Sequence, residues 1–323
     1  MSNFGEKIVD DTRKAILDDT LRANVLSNGE IFWVVEDSDT DFNVISQRYG
    51  NKNVFTTVAA AYAACTTNRN DIIFISANTA HSAAMLTVSK SRIHFVGLDT
   101  GGRMNSQGTR IVTPATDVAA SVAVISNSGT RNTYENIKMS QQGTNVAQTS
   151  GFIDTGEGTY VKNCSFEVNS ILTTVTQAIL FKGDTCHYED CQIGNSTVTH
   201  TAANQAPLVI QTPARYSYFI NCTIINYSDK TTASCIDCPD ANSVIGWIIF
   251  ENCFLLSASK GDGATAAGAM AEAVTSIATS GYLYFRNCSC AFATAFMEAD
   301  ASLYSDAVAP AAAGAGGIMT PGV

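Results

Sequence analysis

The chain has 323 residues, a formal net charge of −10, 46% hydrophobic residues and only 15% charged ones. That composition excludes a disordered chain and a coiled coil, and it leaves room for one sizeable core. The acidic balance repels phosphate backbones, so nucleic acid is not an expected partner, and no apolar run reaches the ~18–20 residues of a membrane span.

Residues 1–30 come first. The opening MSNFGEKIVDD lacks the basic-then-apolar order of a signal peptide, which predicts synthesis in a reducing compartment. This arm has helical patterning and is closed by Asn28-Gly29. Its Phe4, Ile8, Ile16, Leu17 and Leu21 are more apolar groups than a free tail holds, and they predict contact with a partner. Residues 31–35 and 71–75 then read as strands around an Ala-rich stretch, 56–65, that predicts a short helix. A helix there suits a cap, placed at about 31–75, because the first turn of a stacked repeat exposes unpaired core and edge. Asp37, Asp39 and Asp41 imitate a calcium loop. Phe42 stands where that loop needs Gly and Arg48 where it needs Glu, so a solvated turn is expected.

From residue 134 one motif recurs: aromatic, any residue, Asn, Cys, any residue, apolar. It reads YENIKM at 134–139, VKNCSF at 161–166, YEDCQI at 188–193, FINCTI at 219–224, FENCFL at 250–255 and FRNCSC at 285–290. Counted from Ile137, the steps are 27, 27, 31, 31 and 35 residues, as in a constant coil whose loop lengthens toward the C-terminus. Phe95-Val96-Gly97-Leu98 resembles an earlier, degenerate copy.

The motif carries its own geometry. A strand puts every second side chain on one face. Here the aromatic and the Cys are three apart, yet both have buried character, so the phase breaks once between them. Asn136, Asn163, Asp190, Asn221, Asn252 and Asn287 occupy the break. Asn and Asp tolerate the left-handed conformation better than other non-glycine residues. The break is therefore a corner between two strands. Mostly charged residues precede it, as an outward position requires: Glu135, Lys162, Glu189, Glu251 and Arg286. Further strand-like runs at 122–125, 152–153, 178–181, 208–210 and 235–236 supply another strand per coil. About eight coils paired in parallel would make a rod of ~35–40 Å. After Cys290 the chain turns Ala- and Gly-rich, and residues 291–323 read as an irregular arm unable to build a core. Its Phe296, Leu303, Tyr304 and Ile318 are expected partner contacts.

Five cysteines share one repeat position: Cys164, Cys191, Cys222, Cys253 and Cys288. In-register side chains point the same way about 4.8 Å apart. They neither converge as four zinc ligands must nor meet as disulfide Cβ atoms do. A structural core ladder of free thiols is expected, and no metal or cofactor. Cys235 and Cys238 match C-x-x-C without a second pair. Asn163, Asn221 and Asn287 match the glycosylation pattern but sit at corners. Among carboxylates, Glu135 with Glu189, and Asp154 with Glu157 and Asp184, are loose pairs for glycoside chemistry. No Asn-Thr-Asp, Gly-His-Gly, nucleophile-elbow or phosphate-loop motif lies on the coils. Catalysis is not expected.

The order of strand 31–35, helix FTTVAAAYAAC, strand DIIFIS and the run MLTVSKSRIHFVGL at 85–98 resembles the opening of phage β-helix proteins. Residues 31–290 resemble the pectate-lyase-like superfamily: all-β, a right-handed single-stranded parallel β-helix, here with a short N-terminal capping helix and irregular arms at both ends. With those arms the chain resembles a tailed-bacteriophage virion protein. The resemblance implies a capsid decoration protein, made in the host cytoplasm. It would be homotrimeric and attached through its arms to the major capsid protein. The alternative it implies is a tailspike or fibre that binds or cleaves host surface polysaccharide.

Overall fold

The computed structural model describes residues 29–37, 39, 42–49, 51–77, 80–82, 84–99, 108–114, 122–169, 175–230, 232–257, 267–273, 281–291, 293–297, 303–305 and 318–319. Phe4, Ile8, Ile16, Leu17 and Leu21 lie outside the described residues. Within them, three sheets of eleven, nine and eight strands (sheets A, B and C) run the length of the molecule. One coil shows the plan. The sheet C strand Ala123–Asn127 turns into the sheet A strand Thr133–Glu135. The chain bends at Asn136, continues as the sheet B strand Lys138–Gln141, and loops to the next sheet C strand, Ser150–Asp154. Each strand pairs in parallel with its equivalents in the coils before and after. The chain is a right-handed parallel β-helix.

The Asn and Asp corners have positive φ throughout: 59° at Asn136, 49° at Asn163, 55° at Asp190, 54° at Asn221 and Asn252, and 51° at Asn287. Their amides also bond along the stack. Asn163 Nδ2 donates to Asn136 Oδ1 at 2.7 Å and Asn221 Nδ2 to Asp190 Oδ1 at 3.3 Å. Gly97 differs. It lies inside the strand Ile93–Gly97 and is not among the positive-φ glycines. A Cβ there would meet the Asn136 carbonyl oxygen at 2.2 Å, so close backbone approach, not a left-handed corner, requires the glycine.

A second left-handed column stands between sheets C and A. Arg131, Gly158, Thr185, Tyr216 and Gly246 hold φ of 57°, 66°, 54°, 49° and 86° in successive coils. No shared residue type marks it. A β-branched Thr and a Tyr resist this conformation; amide bonds between coils hold Arg131 and Thr185 in it, from Arg131 N–H to Glu157 O at 2.7 Å and from Thr185 N–H to Arg215 O at 3.1 Å.

Rings fill the centre. Phe95 stacks on Tyr134 with centroids 5.0 Å apart, and Tyr188, Phe219, Phe250 and Phe285 follow at 4.7, 4.9 and 4.9 Å. The column is broken by Val161, in register between Tyr134 and Tyr188. Phe152 and Phe166, from the other two sheets, occupy the space, with centroids 5.2 Å from Tyr134 and 6.5 Å from Tyr188.

The N-terminal end is closed by a helix, Val58–Ala64, whose Thr57 hydroxyl caps the Ala60 amide. Tyr62 turns inward, stacks on Phe95 at 6.2 Å, and accepts the amides of Ser89 and Lys90 on its hydroxyl. Lys90 Nζ donates to the carbonyls of Tyr62, Ala63 and Cys65 at 2.7–2.9 Å, a cation on the negative end of the helix. A further helix, Phe42–Tyr49, follows the acidic turn, where no helix was expected. Beneath the cap, buried Asp71 accepts from Arg69 at 2.6 Å and from the amides of Thr66 and Glu30. Burial pushes its carboxyl up, but these donors outweigh burial and hold it below the ordinary range.

The coils run beyond residue 290, which corrects the boundary of the C-terminal arm. Ala293–Met297 and Leu303–Ser305 extend sheets C and A. The Ala-rich composition misled because these strands need no core of their own; Ala293 and Ala295 pair with Ala267 and Ala269 of the preceding coil. Phe296 and Leu303, expected as partner contacts, are buried in the shared core. Ile318–Met319 ends sheet B, antiparallel to Ser289–Ala291.

Replacing Asn221 with Val forces a β-branched residue into the left-handed region. The expected loss is about 1–3 kcal/mol, read as a lower urea midpoint, whereas Asn221→Gly keeps the corner with a much smaller loss. Equal effects of the two changes would show that the corner conformation is not what Asn221 supplies.

Candidate functional site

The ladder cysteines Cys164, Cys191, Cys222, Cys253 and Cys288 are all buried, and all ten cysteines are free thiols. Each ladder thiol donates to a main-chain carbonyl of the preceding coil, from Cys253 to Phe219 O at 3.3 Å to Cys191 to Val161 O at 3.8 Å. Burial pushes the Cys164 thiol up to about 12, so the nucleophilic thiolate is suppressed. Among the described residues no three His, Cys, Asp or Glu side chains are placed to hold a metal.

The carboxylate pairs do not form a site. Lys162 lies in register between Glu135 and Glu189 and its Nζ is 3.3 Å from Glu189 Oε1. Asp154 points into the core. It accepts from Asn127 Nδ2 at 2.9 Å, Thr159 Oγ1 at 3.1 Å, the Gly156 amide at 2.9 Å and the Tyr188 hydroxyl at 2.7 Å. Asp184 is neutralised by Arg215 at 2.7 Å on the turn. Ser76 Oγ lies 3.3 Å from His81 Nε2, a contact of the kind that activates a nucleophile. Both are buried, at 5% and 2% exposure, and closed to a substrate. A cavity of about 10 Å³ among Asn195, His200, Gln205 and Asn226 has room for about one water.

The outer face of sheet A is different. Register places His94, Thr133, Tyr160, His187, Tyr218, Ile249, Tyr284 and Tyr304 in one outward column. Ring centroids are 5.4 Å apart for Tyr160 and His187, 6.1 Å for His187 and Tyr218, and 5.2 Å for Tyr284 and Tyr304. Beside them Trp247 pairs with Tyr282, and the Trp247 ring is met edge-on by Tyr218 at 5.0 Å and Tyr216 at 5.6 Å. Tyr216 is the corner residue at φ 49°, and a Cβ on Gly246 would meet its ring at 2.4 Å. The backbone strain thus holds an exposed ring against Trp247. Tyr216, Tyr282 and Tyr304 are 42%, 37% and 47% exposed. Along the other side runs the charged strip. Glu189 accepts from the Tyr160 hydroxyl at 2.8 Å, and Arg286 meets Glu251 at 2.7 Å. At the N-terminal end the same face carries a separate apolar cluster of Ile72, Phe74 and Val96 with Trp33 and Leu98.

None of these rings except Tyr304 stood among the expected contacts. The signal lay three residues before each corner: Thr133, Tyr160, His187, Tyr218, Ile249 and Tyr284. The recurring motif covers only the positions one and two before it.

No family model matches the chain, and no curated protein matches it. Among solved structures, a pectin methylesterase from Aspergillus niger aligns with a TM-score of 0.52 at 14% identity, over 79% of this chain and 82% of that one. The pectin methylesterase PemA from Erwinia chrysanthemi aligns at 0.44 and 14%, over 87% and 93%. What is shared is the fold. At this identity the likeness transfers no residue. The expectation that the chain is not an enzyme does not stand: it rested on missing lyase and hydrolase motifs, and the Aspergillus niger protein that shares this fold is a pectin methylesterase.

His94, at the head of the column, gives a pH test. Burial, against the pull of Asp71, lowers it to about 4, and its Nδ1 meets Thr133 Oγ1 at 2.8 Å. Unfolded, it takes its proton near pH ~6.5. The stability it carries is therefore present above ~6.5 and lost as pH falls toward 4. Urea midpoints between pH 7 and 4.5 should fall less steeply for His94→Gln than for the parent chain; parallel curves would refute the assignment.

Proposed function

We propose that this chain is a polysaccharide-binding β-helix whose binding face is the outer surface of sheet A. The observation that carries the reading is the outward column from Tyr160 to Tyr304, which holds a ring at every coil except that of Ile249, where Trp247 stands beside it. A pyranose ring has an apolar C–H face and a polar rim. Tyr, Trp and His offer the complement, a flat apolar body with a polar end. The rings are held on strands, so little freedom is lost on binding.

Affinity electrophoresis through gels carrying single polysaccharides tests this. At least one should retard the chain. The double variant Tyr218→Ala, Trp247→Ala should lose about 1–2 kcal/mol per ring, at least tenfold in affinity, with an unchanged circular dichroism spectrum. Retardation that survives the double variant would move the site elsewhere.

The virion role belongs to the same proposal: a capsid decoration protein or tailspike, as a homotrimer on the major capsid protein. Its support is the resemblance of the N-terminal opening and arms to phage virion proteins. Residues 1–28 are then the attachment segment. Deleting them should abolish binding to undecorated capsids while glycan retardation persists; truncated chain that still decorates capsids would argue against an N-terminal attachment.

A further inference from the structure

We infer that the glycan lies along the rod, one sugar to a coil, and that it is an extended chain of equatorially linked pyranoses. The inference rests on the polysaccharide-binding reading and gives it a direction and a substrate class. A sugar chain can cross sheet A in two ways. Along a strand, outward side chains recur about every 7 Å, and the strand soon ends in a corner. Tyr160–Lys162 lies between corners at Gly158 and Asn163 and offers one outward ring, Tyr160. The coil of Tyr218 lies between corners at Tyr216 and Asn221 and offers two, Tyr216 and Tyr218. Along the axis, equivalent positions recur at the strand spacing, about 4.8 Å. Tyr160, His187, Tyr218, Ile249, Tyr284 and Tyr304 then give five rings in six coils, over about 24 Å. Each ring offers a comparable contact, so five against one or two decides the direction. The tilt of the rings agrees. In the central column neighbouring rings are 5° to 15° from parallel and cover each other's faces. On the outer face Tyr160 and His187 are 51° apart, and His187 and Tyr218 35°. Rings tilted this far leave part of each face uncovered, where the C–H face of a sugar can lie. At Ile249 the gap is bridged from the side by Trp247, at 68° to Tyr218. The repeat of the column then selects the polymer. One sugar to a coil needs a rise per sugar close to one strand spacing. Equatorial bonds at opposite ends of each pyranose hold successive rings in a nearly straight ribbon with such a rise. An axial bond bends the chain into a coil that lifts off after a few sugars, and a 6-linkage adds a rotating bond whose ordering costs affinity.

Isothermal titration tests both parts. The probes are the disaccharides and hexasaccharides of the β-1,4-linked glucose, xylose, mannose and N-acetylglucosamine series, with maltohexaose as the coiled control and isomaltohexaose as the 6-linked one. At least one hexasaccharide of the four series should bind, at least tenfold tighter than its disaccharide and than either control. Tyr160→Ala and Tyr284→Ala, four coils or about 19 Å apart, should each weaken that hexasaccharide at least threefold with an unchanged circular dichroism spectrum. A chain laid across the strands would feel at most one of the two. Equal affinity for disaccharide and hexasaccharide, or a response to only one of these variants, overturns the direction. Tighter binding of maltohexaose or isomaltohexaose overturns the linkage class. In each case the face itself stands if Tyr218→Ala, Trp247→Ala abolishes the binding seen. Binding of no hexasaccharide overturns this inference alone where a polysaccharide gel still retards the parent chain and not the double variant, and overturns the polysaccharide-binding reading as well where no gel retards it.

Discussion

The distance between neighbouring strands governs this molecule. Parallel strands lie about 4.8 Å apart, and that is close to the distance at which aromatic rings stack. Tyr188, Phe219, Phe250 and Phe285 therefore satisfy main-chain pairing and ring contact together, at 4.7 to 4.9 Å. Where the column loses a ring, at Val161, larger side chains from sheets B and C take up the volume. A slim thiol beside each ring, pointed at a carbonyl of the coil before, fills the narrow corner that a branched side chain would overfill. The outer column inherits the same repeat because its strands are the same strands.

Polar groups inside obey a different constraint. Asn127 and Asp154, one above the other at equivalent positions of sheet C, are buried at the turn toward sheet A. Asn127 also accepts from Asn132, which in turn takes the Ile93 amide and donates to the Lys90 carbonyl. These side chains satisfy main-chain groups that the bend withdraws from the sheets. A turn carboxylate that reads as chemistry in one dimension becomes a bracket in three.

Much of the stack was legible because its determinants are local. A corner needs one residue type at one offset, and six copies made the offset plain. The helix over the first coil was legible from alanines between two β-rich runs. The second corner column was not, because Arg131, Thr185 and Tyr216 share no chemistry; the first two are held there by donating their amides to carbonyls of the next coil. The helix Phe42–Tyr49 was hidden behind an acidic run read as a turn. The coils after residue 290 were missed because composition measures what a segment can bury alone, whereas Phe296 and Leu303 enter a core already built by others. The ring-lined face lies one position outside the recurring motif, because the residue before the buried aromatic points to the opposite side of the strand and its type varies from Thr to Tyr, His and Ile. Absence of known motifs was a poor guide to activity for a different reason: the same stack presents dozens of outward positions, and chemistry placed on any of them leaves the repeat untouched.

The repeat also separates length from thickness. Extra residues between Cys191 and Cys288 enter the loops, while every coil keeps the same ring, corner and thiol. A whole coil is therefore a unit of inheritance. Duplicating the segment from Cys164 to Asp190 would add one ring to the central column, one ladder thiol and one outer histidine without disturbing a register on either side. Genes built this way can lengthen or shorten a surface by unequal recombination between near-identical repeats. Selection then acts on reach, counted in whole coils, while the cross-section that keeps the rod folded stays fixed.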